Sequence, residues 1–299
     1  MFTINQVKNK SDKLEFIEIE SQDKSSYAKI HVNLGASLQE LKLNTKTIIE
    51  DLHPLKYTDT YASSILFPFA NRIKDGTYSF NDKQYTFQVN EKGNNNALHG
   101  LVFNKTFQII EQKTTEGFAS IKLMYNEMNE SVGFPYTYSI QLEYILKDKA
   151  LDIHVSVVNT DVKSFPFTIG WHPYFVSSNL YNSTLNFESD KQIDFDKRCI
   201  TKGVTHIKNE SVFEIKDKML DDCFILKTNQ TQFNTPNYQL LISASSKENF
   251  LQIYTPPRVN TIAIEPTTGV SDSFNNKIGL QILNPNETYQ VNWKVRLNN

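Results

Sequence analysis

Tyr138-Ser139-Ile140-Gln141-Leu142-Glu143-Tyr144-Ile145 alternates apolar and polar residues with a period of two. In an extended chain that period places successive side chains on opposite faces, one for a core and one for water. The same alternation runs outward in both directions. It recurs in Leu14-Glu15-Phe16-Ile17-Glu18-Ile19-Glu20, Tyr27-Ala28-Lys29-Ile30-His31-Val32, Leu151-Asp152-Ile153-His154-Val155-Ser156-Val157 and Tyr289-Gln290-Val291-Asn292-Trp293-Lys294-Val295. These runs are rich in β-branched and aromatic residues and are separated by Asn, Asp, Gly and Lys clusters, the punctuation of strands. Asn81-Asp82-Lys83, between Tyr78-Ser79-Phe80 and Tyr85-Thr86-Phe87, predicts a hairpin turn. No segment carries a 3.6-residue stripe longer than about two turns. The expectation is an all-β chain folded as a sandwich of large antiparallel sheets. With no Pro/Gly/Ser-rich linker and no internal repeat, residues 1–299 read as one domain.

Hydrophobic residues make up 39% of the 299, enough for a substantial core. The 14 Tyr, 20 Phe and 2 Trp suit strands and also pockets that stack on sugar rings. A net charge of −2, with acids and bases interspersed, predicts no binding to nucleic acid or anionic membranes. The two cysteines, Cys199 and Cys223, are too few for a disulfide framework and read as reduced thiols. Met1 to Lys10 lacks the apolar core of a signal peptide, and no run approaches the ~18 apolar residues of a membrane span. The expectation is a soluble, cytoplasmic protein, with oligomeric state no more than monomer or weak homodimer.

Three short stretches carry residues suited to proton transfer: Gly170-Trp171-His172-Pro173-Tyr174-Phe175, Ala97-Leu98-His99-Gly100 and Ile264-Glu265-Pro266. Each sets its His or Glu beside a Pro or Gly at the expected end of a strand. A histidine in a strand is ordinarily structural, as His31 and His154 can be. His172 differs in being bracketed by Gly170 and Pro173 and surrounded by aromatic residues; Pro173 marks a strand end or edge. Pyranose C–H faces pack well on such rings, although an aromatic core around a hydrogen-bonded His is the alternative. His99 ends an amide-rich loop and precedes a Gly that permits close approach; an ordinary turn His is the other reading. Glu265 follows an apolar run, where burial raises a carboxyl toward the range useful to a general base. A glutamate on an exposed edge is its alternative.

Taken together, these stretches resemble the aldose 1-epimerase (galactose mutarotase) family. The resemblance rests on Leu66-Phe67-Pro68-Phe69-Ala70-Asn71-Arg72-Ile73 with Gly76-Thr77-Tyr78, on Asn96-Ala97-Leu98-His99-Gly100, and on Gly170-Trp171-His172-Pro173-Tyr174-Phe175. Leu220-Asp221-Asp222-Cys223-Phe224 and Ile264-Glu265-Pro266-Thr267-Thr268-Gly269 follow in the expected order, with weaker similarity at Gly35-Ala36-Ser37-Leu38 and in a last hairpin at Leu283-Asn284-Pro285-Asn286-Glu287-Thr288. Leu101 and Asn286 stand where the family often has Gly.

The resemblance implies a β-supersandwich with a sugar cleft across one sheet face. It also implies interconversion of the α and β anomers of a free aldohexose, such as galactose or glucose, with no cofactor and no metal. Glu265 would take the proton of the anomeric hydroxyl, His172 would protonate the ring oxygen, and His99 would support the charge that develops. Arg72, Asn71, Tyr174 and Asp221, with Asp222 as the alternative to Asp221, would bind the monosaccharide; Tyr61 and Phe175 would join the lining. Only four arginines occur, Arg72, Arg198, Arg258 and Arg296, which favours a neutral sugar over a hexose 6-phosphate. Other readings are a sugar-binding or sensor protein on the same scaffold and a metal enzyme using His99, His172 and Glu265. The His-x-His spacing expected of the latter is absent. A glycoside hydrolase would need a second carboxylate facing Glu265.

Overall fold

A computed structural model describes residues 1–129, 131–208 and 212–298. The alternation at Tyr138 is realised in strand Thr137–Lys147, where Tyr138, Ile140, Leu142, Tyr144 and Leu146 are buried and the residues between them are half-exposed. This strand pairs in unbroken antiparallel register with Phe118–Met128 on one side and Ala150–Asn159 on the other. They belong to a nine-stranded sheet ordered Gln108–Thr114, Phe118–Met128, Thr137–Lys147, Ala150–Asn159, Thr288–Asn298, Gln239–Ala244, Gln230–Asn234, Thr184–Asn186 and Phe213–Glu214.

A second, eight-stranded sheet includes Thr201–His206, Lys191–Phe195, Asp221–Ile225, Phe250–Tyr254, Thr261–Thr267, Gly170–Trp171 and Ile65–Leu66 in that order, with Tyr174–Val176 also paired to Thr261–Thr267. A five-stranded antiparallel sheet built from residues 2–49 completes the main layers. One continuous cluster of buried apolar residues joins all three sheets. Trp171 and Trp293 stack between the two larger sheets at 6.3 Å, and Phe175 meets Phe233 across the same gap. Burying each such ring contributes about 1.5–3 kcal/mol. Apart from a 3₁₀ turn, helix among the described residues is confined to Tyr57–Thr60 and Ser273–Asn276. None is long and apolar enough to cross a membrane. The expected all-β architecture of large antiparallel sheets is therefore present.

Two local expectations need correction. The hairpin turn is the two-residue Asn81-Asp82, both with positive φ, while Lys83 already pairs with Phe80 in the returning strand. Two left-handed residues match the right-handed twist of the flanking strands. The segment Leu283-Asn284-Pro285-Asn286-Glu287-Thr288 is a turn but not a hairpin. Strand Gln281–Leu283 pairs with Phe165–Phe167, whereas Thr288–Asn298 pairs with Ala150–Asn159 and Gln239–Ala244. Asn286 adopts φ 63° there, the conformation Gly would supply and that Asn tolerates.

Candidate functional site

The eight-stranded sheet has one face toward the core and one toward a cleft, and the period of two sorts its residues between them. Ile262 and Ile264 join the core cluster; Ala263 and Glu265 face the other way. In the neighbouring strand Leu251 and Ile253 go to the core, and Gln252 and Tyr254 to the cleft. One strand further, Phe224 is in the core and Asp221 lines the cleft, while Asp222 lines a separate cavity. Of the two candidate aspartates, the structure thus brings Asp221 to the site.

His172 reaches the cleft through a break in this sheet. Tyr174 is opposite Ala263 and Gly170 is opposite Thr267, so the register between them sets His172 opposite Glu265. Pro173 and Pro266, which have no N–H to donate, fall within this break. The backbone of His172 is instead tied sideways, its N–H donating to Ser64 at 3.0 Å and its carbonyl accepting from Ser63 at 2.8 Å. Glu265 is therefore inside a central strand, not at the strand end expected for it. His172 Nε2 and Glu265 Oε1 are 3.4 Å apart, with side-chain exposures of 5% and 4%.

His99 comes from the loop after strand Asn96–Leu98 and meets His172 edge-on at 4.9 Å. Its N–H donates to the Asn71 carbonyl at 2.8 Å. Asn71, His99 and Tyr61 all have positive φ, a concentration of left-handed backbone around one cavity. Gly100 follows with φ +74°, and a Cβ there would lie 2.3 Å from the Phe67 carbonyl oxygen, so only Gly lets the loop close on the sheet.

The cleft has a volume of about 340 Å³, the size range of small-molecule sites. Arg72 is held by Glu91, with Nε 3.0 and 3.1 Å from its two carboxylate oxygens, and donates from Nη1 to Asn71 Oδ1 at 3.0 Å. Asn71 donates to Gln252 Oε1 at 3.3 Å, and Gln252 donates to Asp221 Oδ1 at 2.7 Å. Tyr174 stacks on His172 at 4.9 Å. Glu91, Asn90, Gln252 and Tyr254 line the cleft although sequence reasoning passed over them. Gln252 left a signal, a lone amide inside the apolar run Phe250-Leu251-Gln252-Ile253; Glu91 left none.

Phe175 does not line the cleft. It is fully buried and packs on Trp171 and Phe233, because its position next to Tyr174 in an extended strand turns it to the core face. His31 and His154 also lie outside the cleft, near Glu15 and Glu143 respectively. Both cysteines are free; Cys199 Sγ is 3.6 Å from Asp221 Oδ2.

Burial dominates the electrostatics. It pushes the Glu265 carboxyl well above the usual range, with Asp221 adding and Arg72 opposing. It lowers His172 to about 4, against a backbone contact and with help from Arg72, and holds His99 well below an ordinary histidine, with His172 and Arg72 adding. Asp221 is raised by burial against the pull of Arg72. Nδ1 of His99 and of His172 are buried without a hydrogen-bond partner. No group of three His, Cys, Asp or Glu side chains among the described residues is arranged to hold a metal ion. A polar cleft containing a carboxyl and an imidazole in contact is suited to exchanging protons with a small hydroxylated molecule.

Residues 18–296 match the sequence family described as aldose 1-epimerase. The chain belongs to the aldose 1-epimerase family. As a member it shares 22% identity over 272 residues with YihR, an uncharacterized protein of Escherichia coli (strain K12), covering 87% of each chain. Its fold is similar to that of a galactose mutarotase-like protein of Clostridium acetobutylicum, with TM-score 0.88, 23% identity and coverage of 100% and 99% of the two chains. It is also similar to galactose 1-epimerase of Lactobacillus acidophilus NCFM, with TM-score 0.81, 16% identity and coverage of 100% and 98%. At these identities the solved structures speak to the fold of this family member.

Proposed function

We propose that the protein is a mutarotase that interconverts the anomers of a free, uncharged aldose. The observation that carries this reading is the opposition of His172 and Glu265 on the floor of a cleft whose walls present Arg72, Asn71, Gln252 and Asp221. Mutarotation moves one proton off the anomeric hydroxyl and one onto the ring oxygen, two atoms on the same carbon. Two adjoining groups of the protein can serve both oxygens at once.

Burial by itself favours the neutral arrangement, with the proton on Glu265. Its transfer across 3.4 Å to His172 produces the carboxylate base and imidazolium acid that the reaction uses. Glu265 then accepts the O1 proton while His172 donates to O5 and the C1–O5 bond breaks. Rotation about C1–C2 presents the other carbonyl face, and the same pair closes the ring with its roles exchanged. His99 supports charge at the reacting oxygens, and Arg72, Asn71, Tyr174 and Asp221 bind hydroxyls.

The preference for an uncharged sugar follows from charge balance. Arg72 is the one Lys or Arg lining the cleft among the described residues, and Glu91 already engages its guanidinium from both oxygens. A phosphoryl group placed beside Asp221, Glu91 and Glu265 would meet repulsion without a cation free to match it. Polarimetry on freshly dissolved α-D-glucose and α-D-galactose, with wild type beside Glu265→Gln, tests the assignment. Fast equilibration with wild type alone is expected; no acceleration of any free aldose overturns it.

A further inference from the structure

We propose that Arg198 is a positioning residue for the cleft, acting on Arg72 through the Asn94-Asn95-Asn96 loop and Glu91; this rests on the sugar-binding role given to Arg72 above. Arg198 does not itself line the cleft. It sits in a turn following strand Lys191–Phe195. There Asp196 Oδ1 accepts from the N–H groups of Arg198 and Ile200 at 2.8 and 3.0 Å, and the Cys199 N–H donates to the Asp196 carbonyl at 3.0 Å. Ser271 Oγ donates to the Cys199 carbonyl at 2.7 Å and pins the turn to the segment that follows strand Thr261–Thr267.

From this fixed base the guanidinium reaches across to the loop that leads to His99. Nε donates to the Asn94 carbonyl at 2.8 Å; Nη2 donates to the Asn95 carbonyl at 3.0 Å, to Asn96 Oδ1 at 3.0 Å and to Asp75 Oδ1 at 2.7 Å. The Arg198 carbonyl accepts from Asn96 Nδ2 at 3.2 Å. Two of the residues held in this way, Asn94 by its backbone and Asn96 by its side chain, in turn hold Glu91. Asn94 Nδ2 donates to its Oε1 at 3.1 Å and Asn96 Nδ2 to its Oε2 at 2.8 Å. Glu91 then spends both oxygens on Arg72.

A carboxylate oriented by two amides presents its oxygens in one direction only, so the planar fork of Arg72 is held in one place over the cleft. Without Arg198 the Asn94 carbonyl and the Asn96 side-chain oxygen each lose a donor, leaving the loop to its backbone bonds with Glu91, and Arg72 keeps its charge partner but not its aim. A lysine cannot replace the fork, because a single ammonium cannot reach acceptors spread along three consecutive residues and Asp75. The next residue, Cys199, touches Asp221, so one turn contacts both the loop that holds Glu91 and a side chain lining the cleft.

The test measures mutarotation kinetics and thermal stability for Arg198→Ala, Arg198→Lys, Arg72→Ala and the Arg72→Ala/Arg198→Ala pair. Loss of one well-aimed charged contact to the sugar predicts KM raised about tenfold in both Arg198 variants, with kcat within about twofold of wild type. The double variant should match Arg72→Ala alone, since Arg198 acts through Arg72. A fall in kcat at unchanged KM, or a full additional effect in the double variant, overturns the proposal. A crystal structure of Arg198→Lys decides it independently of any activity. Arg72 should leave its present bidentate geometry on Glu91, and retention of that geometry refutes the chain of contacts. Inactivity of wild type on every free aldose would defeat the mutarotase reading instead and leave this structural arm standing.

Discussion

His172 and Glu265 are a cross-strand pair at a point where the ladder is broken. The register from Tyr174 opposite Ala263 to Gly170 opposite Thr267 runs through them, yet the backbone of His172 bonds sideways to Ser63 and Ser64. Facing residues on adjacent strands have their side chains on one face and close together. The break opens that pair to the cleft while the intact ladder on either side keeps the 3.4 Å separation. Strand pairing on both sides of the break thus sets the distance on which the proposed proton exchange depends.

Glu265→Gln preserves the size of the side chain and removes its ability to take a proton. Mutarotation should fall by about 10²–10⁴-fold, and His172→Asn should do the same from the other side of the pair. Polarimetry or a coupled anomer assay, with circular dichroism confirming the fold, provides the measurement. Near-wild-type turnover in Glu265→Gln would falsify the base assignment.

Stability should depend on His172 at mildly acidic pH. Its folded pKa of about 4 lies below the ordinary 6.5, so between these values the unfolded chain binds the extra proton. Stability contributed by the neutral imidazole is complete above pH 6.5 and is lost as pH falls toward 4, by a total of about 3 kcal/mol. Urea unfolding at pH 7.0 and 4.5 should show a smaller loss for His172→Gln than for wild type. An equal loss in both proteins would show that the burial of His172 is not what couples it to pH.

Consecutive aspartates should behave differently. Asp221→Asn removes a charged acceptor from the cleft wall and should raise KM roughly tenfold. Asp222, bonded by Gln192 at 2.7 Å beside a separate cavity, should tolerate the same change with KM and kcat unaltered. Michaelis kinetics on both variants decide the matter; the reverse pattern would put the wrong aspartate in the cleft.

Phe175→Ala should be a stability mutant. Removing a fully buried ring between Trp171 and Phe233 should cost about 3–5 kcal/mol in chemical denaturation, with kcat and KM of the remaining folded protein close to wild type. Tyr174→Phe loses a 3.2 Å hydrogen bond to the Thr60 carbonyl but keeps the ring on His172, and should be the milder change in stability. A large KM effect from Phe175→Ala with little loss of stability would return Phe175 to the cleft.

By itself the sequence determined the all-β class and the antiparallel pairing, and it singled out His99, His172 and Glu265, which line one cleft, as candidates for proton transfer. Period-two alternation and the Gly and Pro residues beside the chemistry are local properties, readable without knowing what packs where. Tertiary structure alone decided which face each residue took. Asp221 and Asp222, or Tyr174 and Phe175, are equivalent as neighbours in the chain and become opposite only when one side of the sheet meets a second sheet and the other meets a cleft. It also decided that Glu265 occupies a central strand. Two strands far apart in sequence flank it, and only their pairing removes it from water. Arg198 stayed silent because its contacts are made across the fold, and no spacing in the chain records a hydrogen bond between residues 102 positions apart.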